Sequence, residues 1–153
     1  MLALLLAAAT ACGSPAGAGG EHICTDIGTL VGVGFDLQPG IAAKAGNLTL
    51  TACWPGTCVD RVVELHPSTA AGQQTCAGDS CSVRMVPTGG KNGFADLPRL
   101  PNAPVQLTVR LAGHPDRNLT VTPKLSYPNG LDCGAGGPQA QVSIDDTGTP
   151  TER

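Results

Sequence analysis

The sequence predicts an all-β fold, a single antiparallel β-sandwich of seven or eight strands stapled by disulfides. Apolar and polar residues alternate with a period of two along most of the body, which is the pattern of a half-buried strand. Glycine (21) and proline (13) are abundant and favour frequent turns over long helices. Six cysteines follow the N-terminal region and indicate disulfide bonds. The predicted strands cover residues 30–35, 47–53, 58–65, 82–86, 93–97, 105–111, 119–121 and 142–144.

The alternation also predicts which side chains face the core. Leu48 and Leu50 share one face of the second strand, with threonines on the other face. The glycine pair at residues 89–90 predicts a turn between the fourth and fifth strands. Residues 41–46 and 68–74 predict one turn of helix at most, because neither segment has an apolar stripe at helical spacing.

Charge and composition exclude one class of partner. The net charge is −3, and the nine Lys and Arg residues form no cluster. Nucleic-acid binding needs a concentrated basic surface, so we expect no nucleic-acid partner. The carboxylates are scattered and do not follow the alternating pattern of a calcium loop, so we expect no metal and no cofactor.

The N-terminal residues predict where in the cell the protein is located. Residues 2–11 form an apolar run that is too short to span a bilayer, which needs about 20 residues, and that is typical of a signal peptide. The segment Ala9-Thr10-Ala11-Cys12 resembles the bacterial lipobox. The resemblance implies that Cys12 is lipidated and anchors the chain to the extracytoplasmic face of the cell membrane. An ordinary secretory signal, cleaved near Ala11, is the alternative.

The chain therefore divides into four parts. Residues 1–11 are predicted to be the signal peptide, and residues 12–23 a flexible tether rich in glycine, alanine and proline. Residues 24–146 form the sandwich domain, and residues 147–153 are predicted to be a disordered tail.

The six cysteines that follow Cys12 form an even set, which in an exported protein predicts three disulfides. Two pairs have four intervening residues each and flank a Pro-Gly or a Gly-Asp turn, so each pair could bridge the neck of its turn. The favoured pairing is Cys53–Cys58, Cys76–Cys81 and Cys24–Cys133. The main alternative links the two turns, as Cys53–Cys81 or Cys58–Cys76. A metal or redox protein that uses the C-x4-C pairs as thiolates is a further alternative.

Two resemblances extend this interpretation. The chain resembles the uncharacterised lipoproteins of actinobacteria. The resemblance lies in the lipobox, the paired cysteines, and the segments from Tyr127 to Gly130 and from Cys133 to Gln139. This family implies a cellular location and no activity. The segment from Asn92 to Pro98, followed by an alternating strand, is similar to the strand pair of prealbumin-like or carboxypeptidase-regulatory-like domains. The sandwich is therefore expected to be immunoglobulin-like or prealbumin-like.

Candidate catalytic residues are few. Residues 78–80 read Gly-Asp-Ser and resemble the nucleophile block of GDSL-type hydrolases, but the Asp-x-x-His that those enzymes carry near the C-terminus is missing. His22, His66 and His114 are far apart in sequence, and we interpret them as loop residues. We expect no enzyme, although a triad can assemble from distant residues, so a cryptic hydrolase using His66 or His114 stays an alternative.

Trp54 is the one aromatic residue at a predicted turn tip. It either packs over the neighbouring disulfide or stays exposed for binding. The functional expectation is accordingly a membrane-anchored binding or structural module of the cell envelope, which meets a protein or an envelope polymer through loops on a rigid sandwich.

Overall fold

The computed structural model describes residues 23–25 and 27–153. Within this part of the chain, ten strands form two sheets that pack against each other across one core, so the fold is all-β and sandwich-like. In chain order the strands are β1 (Gly32–Leu37), β2 (Asn47–Trp54), β3 (Thr57–Glu64), β4 (His66–Ala77), β5 (Ser80–Asp96), β6 (Val105–Arg110), β7 (Arg117–Val121), β8 (Lys124–Leu125), β9 (Pro138–Ile144) and β10 (Pro150–Glu152).

The first sheet has the order β10-β9-β1-β5-β4, with β8 added to β9, and the second has the order β3-β2-β6-β7. The chain passes from the second sheet to the first at Leu65, which separates β3 from β4. Gly93 of β5 lies against this crossing, since a Cβ atom there would be 2.5 Å from the carbonyl oxygen of Glu64. Glycine therefore permits the close backbone approach that joins the two sheets along one side.

One strand pair differs from the predicted antiparallel arrangement. The strands β1 and β9 are parallel, with Gly32 beside Gln139 and Leu37 beside Ile144, whereas the other pairs are antiparallel. A parallel pair requires a long connection between its strands, and the rest of the domain supplies it. The first sheet is consequently mixed.

The core consists of aliphatic side chains and one aromatic ring, and no polar side chain among the described residues is buried. Leu48 and Leu50 of β2 are buried as the alternation predicts, and Phe35 of β1 is fully buried. Each large side chain that is fully buried contributes about 1.5–3 kcal/mol relative to an exposed one. The largest fully buried apolar side chains are Phe35, Leu48, Leu50, Leu97, Leu107, Ile144, Val33, Val63, Val105, Val121 and Val142.

A single turn of α-helix, α1 (Pro39–Ala42), follows β1 at almost the position where the sequence predicts one. Proline occupies its first turn, where a missing amide is tolerated. The carboxylate of Asp146 accepts a hydrogen bond of 2.8 Å from the Gly40 amide, which ties α1 to the turn after β9.

The prediction of seven or eight strands was too low, and the largest error concerns residues 66–96. Residues 68–74, expected to form a helical turn at most, belong to the strand β4. The predicted fourth and fifth strands are one continuous strand of 17 residues, β5, and the glycine pair at 89–90 lies inside it instead of in a turn.

The predicted disordered tail was also wrong for its last residues. Pro150–Glu152 forms β10, which pairs with β9 through residues such as Thr151, opposite Ser143. The Glu152 carboxylate accepts a hydrogen bond of 2.8 Å from the Thr122 amide, and Arg153 forms an ion pair of 2.9 Å with Asp36. The ordered domain thus extends beyond residue 146.

Three disulfides connect the described cysteines in the pairing that the sequence favours: Cys24–Cys133, Cys53–Cys58 and Cys76–Cys81. The two short links join residues directly opposite each other in the hairpins β2–β3 and β4–β5. Because all six sulfur atoms are in disulfides, none of these cysteines offers the thiolate that a zinc site requires.

Candidate functional site

The most exposed part of the described chain is the end of the β4–β5 hairpin, residues 69–87, which we call the arm. Each of its residues is exposed except Gly72, which is half-buried. Its two strands pair from Thr69 opposite Pro87 to Ala77 opposite Ser80. Eight residues of β5, from Ser80 to Pro87, span roughly 25 Å at the usual rise per residue.

The arm begins where β1 ends. Leu37, the last residue of β1, pairs with Lys91, so within the described residues β5 has no neighbouring strand on that side over residues 80–88. At the junction a Cβ atom on Gly90 would lie 2.6 Å from the Leu37 carbonyl oxygen, and Gly89 has a φ of +82°. The glycine pair therefore lets β5 pass the end of β1 closely and then change direction, since a larger residue would clash or be strained.

The tip of the arm is tightly constrained. Gly78 and Asp79 form a two-residue loop in which Gly78 has a φ of +59°, as the first loop position of a type II′ hairpin requires. The Cys76–Cys81 disulfide closes the hairpin directly behind this loop. Ser80, the residue that resembles a hydrolase nucleophile, is an exposed residue of this stapled tip.

The arm is almost uncharged, with Asp79 and Arg84 as its only ionisable side chains outside the disulfide. Strand alternation places Val83 and Met85 on the same face as the disulfide, and these side chains are 42% and 55% exposed. Ser82, Arg84 and Val86 lie on the opposite face by the same alternation. One face of the arm is accordingly an exposed apolar stripe.

A second surface feature is an open groove of about 580 Å³ on the outer side of the first sheet. Its floor is at Gly34, beside which Phe94 is half-buried, and Glu64 and His66 line its side. Gln141 donates a hydrogen bond of 2.9 Å to Asp36 within it. Because Asp36 is also paired with Arg153, the polar groups of the floor largely satisfy one another.

The structure does not bring the candidate histidines into one site. His66 lines the groove, whereas His114 lies beside the turn before β10, where a Cβ atom on Gly148 would be 3.1 Å from Nδ1 of His114. His22 and the predicted lipidation site Cys12 lie outside the described residues. No group of three or more His, Cys, Asp or Glu side chains suited to a metal ion occurs in the described part.

Trp54 is half-buried and packs against the core, next to the Cys53–Cys58 disulfide. Its remaining surface lines a cleft of about 220 Å³ together with Arg61 and Arg99. Trp54 is therefore mostly packed, but against the core and not over the disulfide, because strand alternation puts it on the face of Leu50 and Ala52 and Cys53 on the other face.

Sequence reasoning missed the arm, which is the main candidate contact surface. The signal that could have revealed it is the pair Cys76 and Cys81, whose predicted bridge implies two strands flanking the turn. Residues 66–77 themselves lack alternation and contain few strand-forming residues, so nothing local predicts β4.

The fold and the arm define a disulfide-stapled, two-sheet β domain with a projecting hairpin. No family model, curated protein or solved structure matches this chain.

None of the helices in residues 23–25 and 27–153 has the length and apolar content needed to cross a bilayer.

Proposed function

We propose that this chain is a lipid-anchored, extracytoplasmic module of the bacterial cell envelope, held at the cell membrane through Cys12, that binds a protein through its arm. The single observation that carries the proposal is the arm itself, a nearly uncharged hairpin exposed along its whole length with an apolar stripe on one face. An apolar surface that is open to solvent is typical of an interaction site.

The energetics of a hairpin support this role. A two-stranded hairpin with no further strand or core is marginally stable in water, so its free edges favour pairing with another chain. The Cys76–Cys81 disulfide at the tip holds the two strands together before a partner binds. The arm is therefore a preformed template, and binding requires little additional ordering.

The positions of the termini also fit an anchored module. Cys133 holds Cys24 near the start of β1, whereas the arm leaves the sheet at the other end of β1. Residues 12–23, which the sequence predicts to be the tether, would connect the lipid to the domain, although of these only residue 23 is among the described residues. In this arrangement the arm points away from the membrane.

The finer fold type belongs to the same proposal. We infer an immunoglobulin-like or prealbumin-like sandwich, supported by two packed sheets and by the Gly93-to-Pro98 segment leading from β5 toward β6. Membership of the uncharacterised actinobacterial lipoproteins rests on the sequence resemblance. The proposal assigns the chain no catalytic residue, metal or cofactor, and no nucleic-acid partner.

The proposed membrane anchoring is tested by the intact mass of the protein extracted from native membranes, before and after reduction. We expect an N-terminus at Cys12 that carries acyl chains, and a gain of six hydrogens on reduction of the three disulfides. A soluble, unlipidated protein would contradict the anchoring.

The contact surface is tested by crosslinking in living cells that express the wild-type chain, Met85→Asp or Val62→Asp. Met85 and Val62 are 55% and 67% exposed, but only Met85 belongs to the arm. We expect a protein adduct that Met85→Asp removes and Val62→Asp keeps. An adduct that resists protease but is released by glycan-degrading enzymes would identify an envelope polymer and overturn the assignment of a protein partner.

A further inference from the structure

The two free edges of the arm differ in how well they are protected from pairing. Within the arm, the outer edge of β4 is interrupted by a bulge between Ala71 and Gln74. A bulge of this kind interferes with the addition of a further strand to that edge. On the β5 edge Pro87 lies at the base of the arm, and the segment from Ser80 to Val86 contains neither a bulge nor a proline. Its one charged side chain there is Arg84.

We propose that the β5 edge of the arm pairs with the same edge of a second copy of this chain. The pairing is antiparallel, and its two-fold axis passes through Val83. This inference rests on the proposed function, because it names the protein that the arm binds.

The register follows from the residues on this edge. The uninterrupted segment from Ser80 to Val86 has Val83 at its centre, so an axis at Val83 uses all seven residues. Val83 then lies opposite Val83 of the second copy, and Met85 opposite its Cys81. Opposite residues share a face in an antiparallel pair, so the apolar stripes of the two arms form one surface.

The single charge of the edge supports the same register. With the axis at Val83, Arg84 lies opposite Ser82 of the second copy, and its guanidinium can donate to the serine hydroxyl. An axis at Arg84 would instead place two arginines directly opposite each other, which is destabilising. The charge on this edge therefore disfavours the neighbouring register and is compatible with the proposed one.

The β5 edge can pair with a second copy of this chain without requiring a partner of different sequence. Each copy presents the same seven residues, and a two-fold contact satisfies both edges at once and closes the assembly. The product is a four-stranded sheet, in which the two inner strands each have a neighbour on both sides. Sheets of this size are stable where an isolated hairpin is marginal.

The register is tested by Val83→Cys in the full-length protein extracted in detergent. We expect a disulfide-linked dimer under mild oxidation, since the two introduced sulfur atoms lie opposite each other across the axis. Val62→Cys is the matched control: it is exposed on β3, away from the arm, and should stay monomeric on a non-reducing gel. Equal crosslinking of both variants would overturn the proposed register.

The pairing itself is tested by charge reversal. Val83→Lys and Val83→Glu should each weaken the dimer by about tenfold or more, measured by sedimentation of the full-length protein, because like charges then face each other. Mixing the two variants should restore a dimer. Val62→Lys should leave the dimer intact. Loss of the dimer in Val83→Lys, which has the same detergent and the same lipid anchor, would show that detergent and lipid do not cause the association.

Retention of the dimer in Val83→Lys, or a wild-type protein that is monomeric at micromolar concentration, would overturn the second copy as the occupant. If Met85→Asp nevertheless removed an adduct with a different protein in cells, the proposed function would stand without this inference. If the wild-type protein formed neither a dimer nor an adduct that Met85→Asp removes, the arm would not be a contact surface.

Discussion

The Cα atoms of Cys24 and Cys133 lie 5.5 Å apart, although 109 positions separate the two residues in sequence. Their disulfide closes a loop that contains both sheets except for β9 and β10. It also holds the chain that precedes β1 against the segment that leads into β9. The segments that lead into the parallel strands β1 and β9 are therefore linked covalently, and the strands themselves are paired by backbone hydrogen bonds.

Removing this link should have the largest effect of the three disulfides. In the chain-entropy model, Cys24→Ser with Cys133→Ser lowers the free energy of unfolding by about 5 kcal/mol, whereas Cys53→Ser with Cys58→Ser lowers it by about 2 kcal/mol, because the second loop is short. Urea denaturation of both double variants measures the difference. Equal losses would show that the effect does not come from loop length.

Removing the tip disulfide should act locally. With Cys76→Ser and Cys81→Ser, the arm loses the bond that holds a marginal hairpin together, so limited proteolysis within residues 69–87 should become about tenfold faster or more. The thermal midpoint of the body should change little, since the arm contributes no residue to the core. The Cys53 and Cys58 double variant is the control and should not accelerate cleavage in the arm.

Gly93 should not tolerate a side chain. In Gly93→Ala the new Cβ atom would lie 2.5 Å from the Glu64 carbonyl oxygen and 2.7 Å from Cγ1 of Val63, so β3 and β5 must separate. We expect a loss of about 1–3 kcal/mol in the free energy of unfolding. Gly46→Ala, where the Cβ atom would meet open space, should change stability by less than about 0.5 kcal/mol. Chemical denaturation of the pair compares the two sites.

The turn between β9 and β10 should depend on pH through Asp145. The Thr147 hydroxyl and then the Thr149 amide donate to its carboxylate, and these hydrogen bonds hold the pKa of Asp145 below its usual 3.8. A lowered folded-state pKa means that the stabilisation is present above the unfolded-state pKa and is lost as the pH falls through the folded-state value.

Below pH 4 the amides of Thr147 and Thr149 should therefore progressively lose protection from hydrogen exchange, measured relative to the rate of an unstructured peptide at the same pH, because intrinsic exchange itself slows as the pH falls. Asp145→Asn should remove this pH dependence, while Asp79→Asn, in the distant tip of the arm, should preserve it. An unchanged profile in Asp145→Asn would show that another group controls the turn.

Much of the body could be predicted from the sequence, because its strands carry their own signal. Alternation in β2 and β6 marks buried residues such as Leu50 and Leu107 without reference to any neighbour. The two C-x4-C pairs likewise favoured their disulfides, since each flanks a turn short enough to bridge. The all-β class and the core faces were predicted at this level, whereas the disulfide pairing was favoured there and decided by the structure.

Pairing between distant segments was decided only in the tertiary structure. Residues 66–77 have no alternation, and they form β4 because β5 supplies a hydrogen-bonding edge. The parallel contact of β1 with β9 and the ordered end at Pro150–Glu152 depend on edges of the same kind. Burial of one face of a strand produces a periodic pattern of apolar residues in the sequence. Backbone hydrogen bonds produce no such pattern, because almost every residue has the same backbone donor and acceptor. For that reason the sequence by itself determined what is buried, and the tertiary structure alone decided which edges meet and where the arm projects.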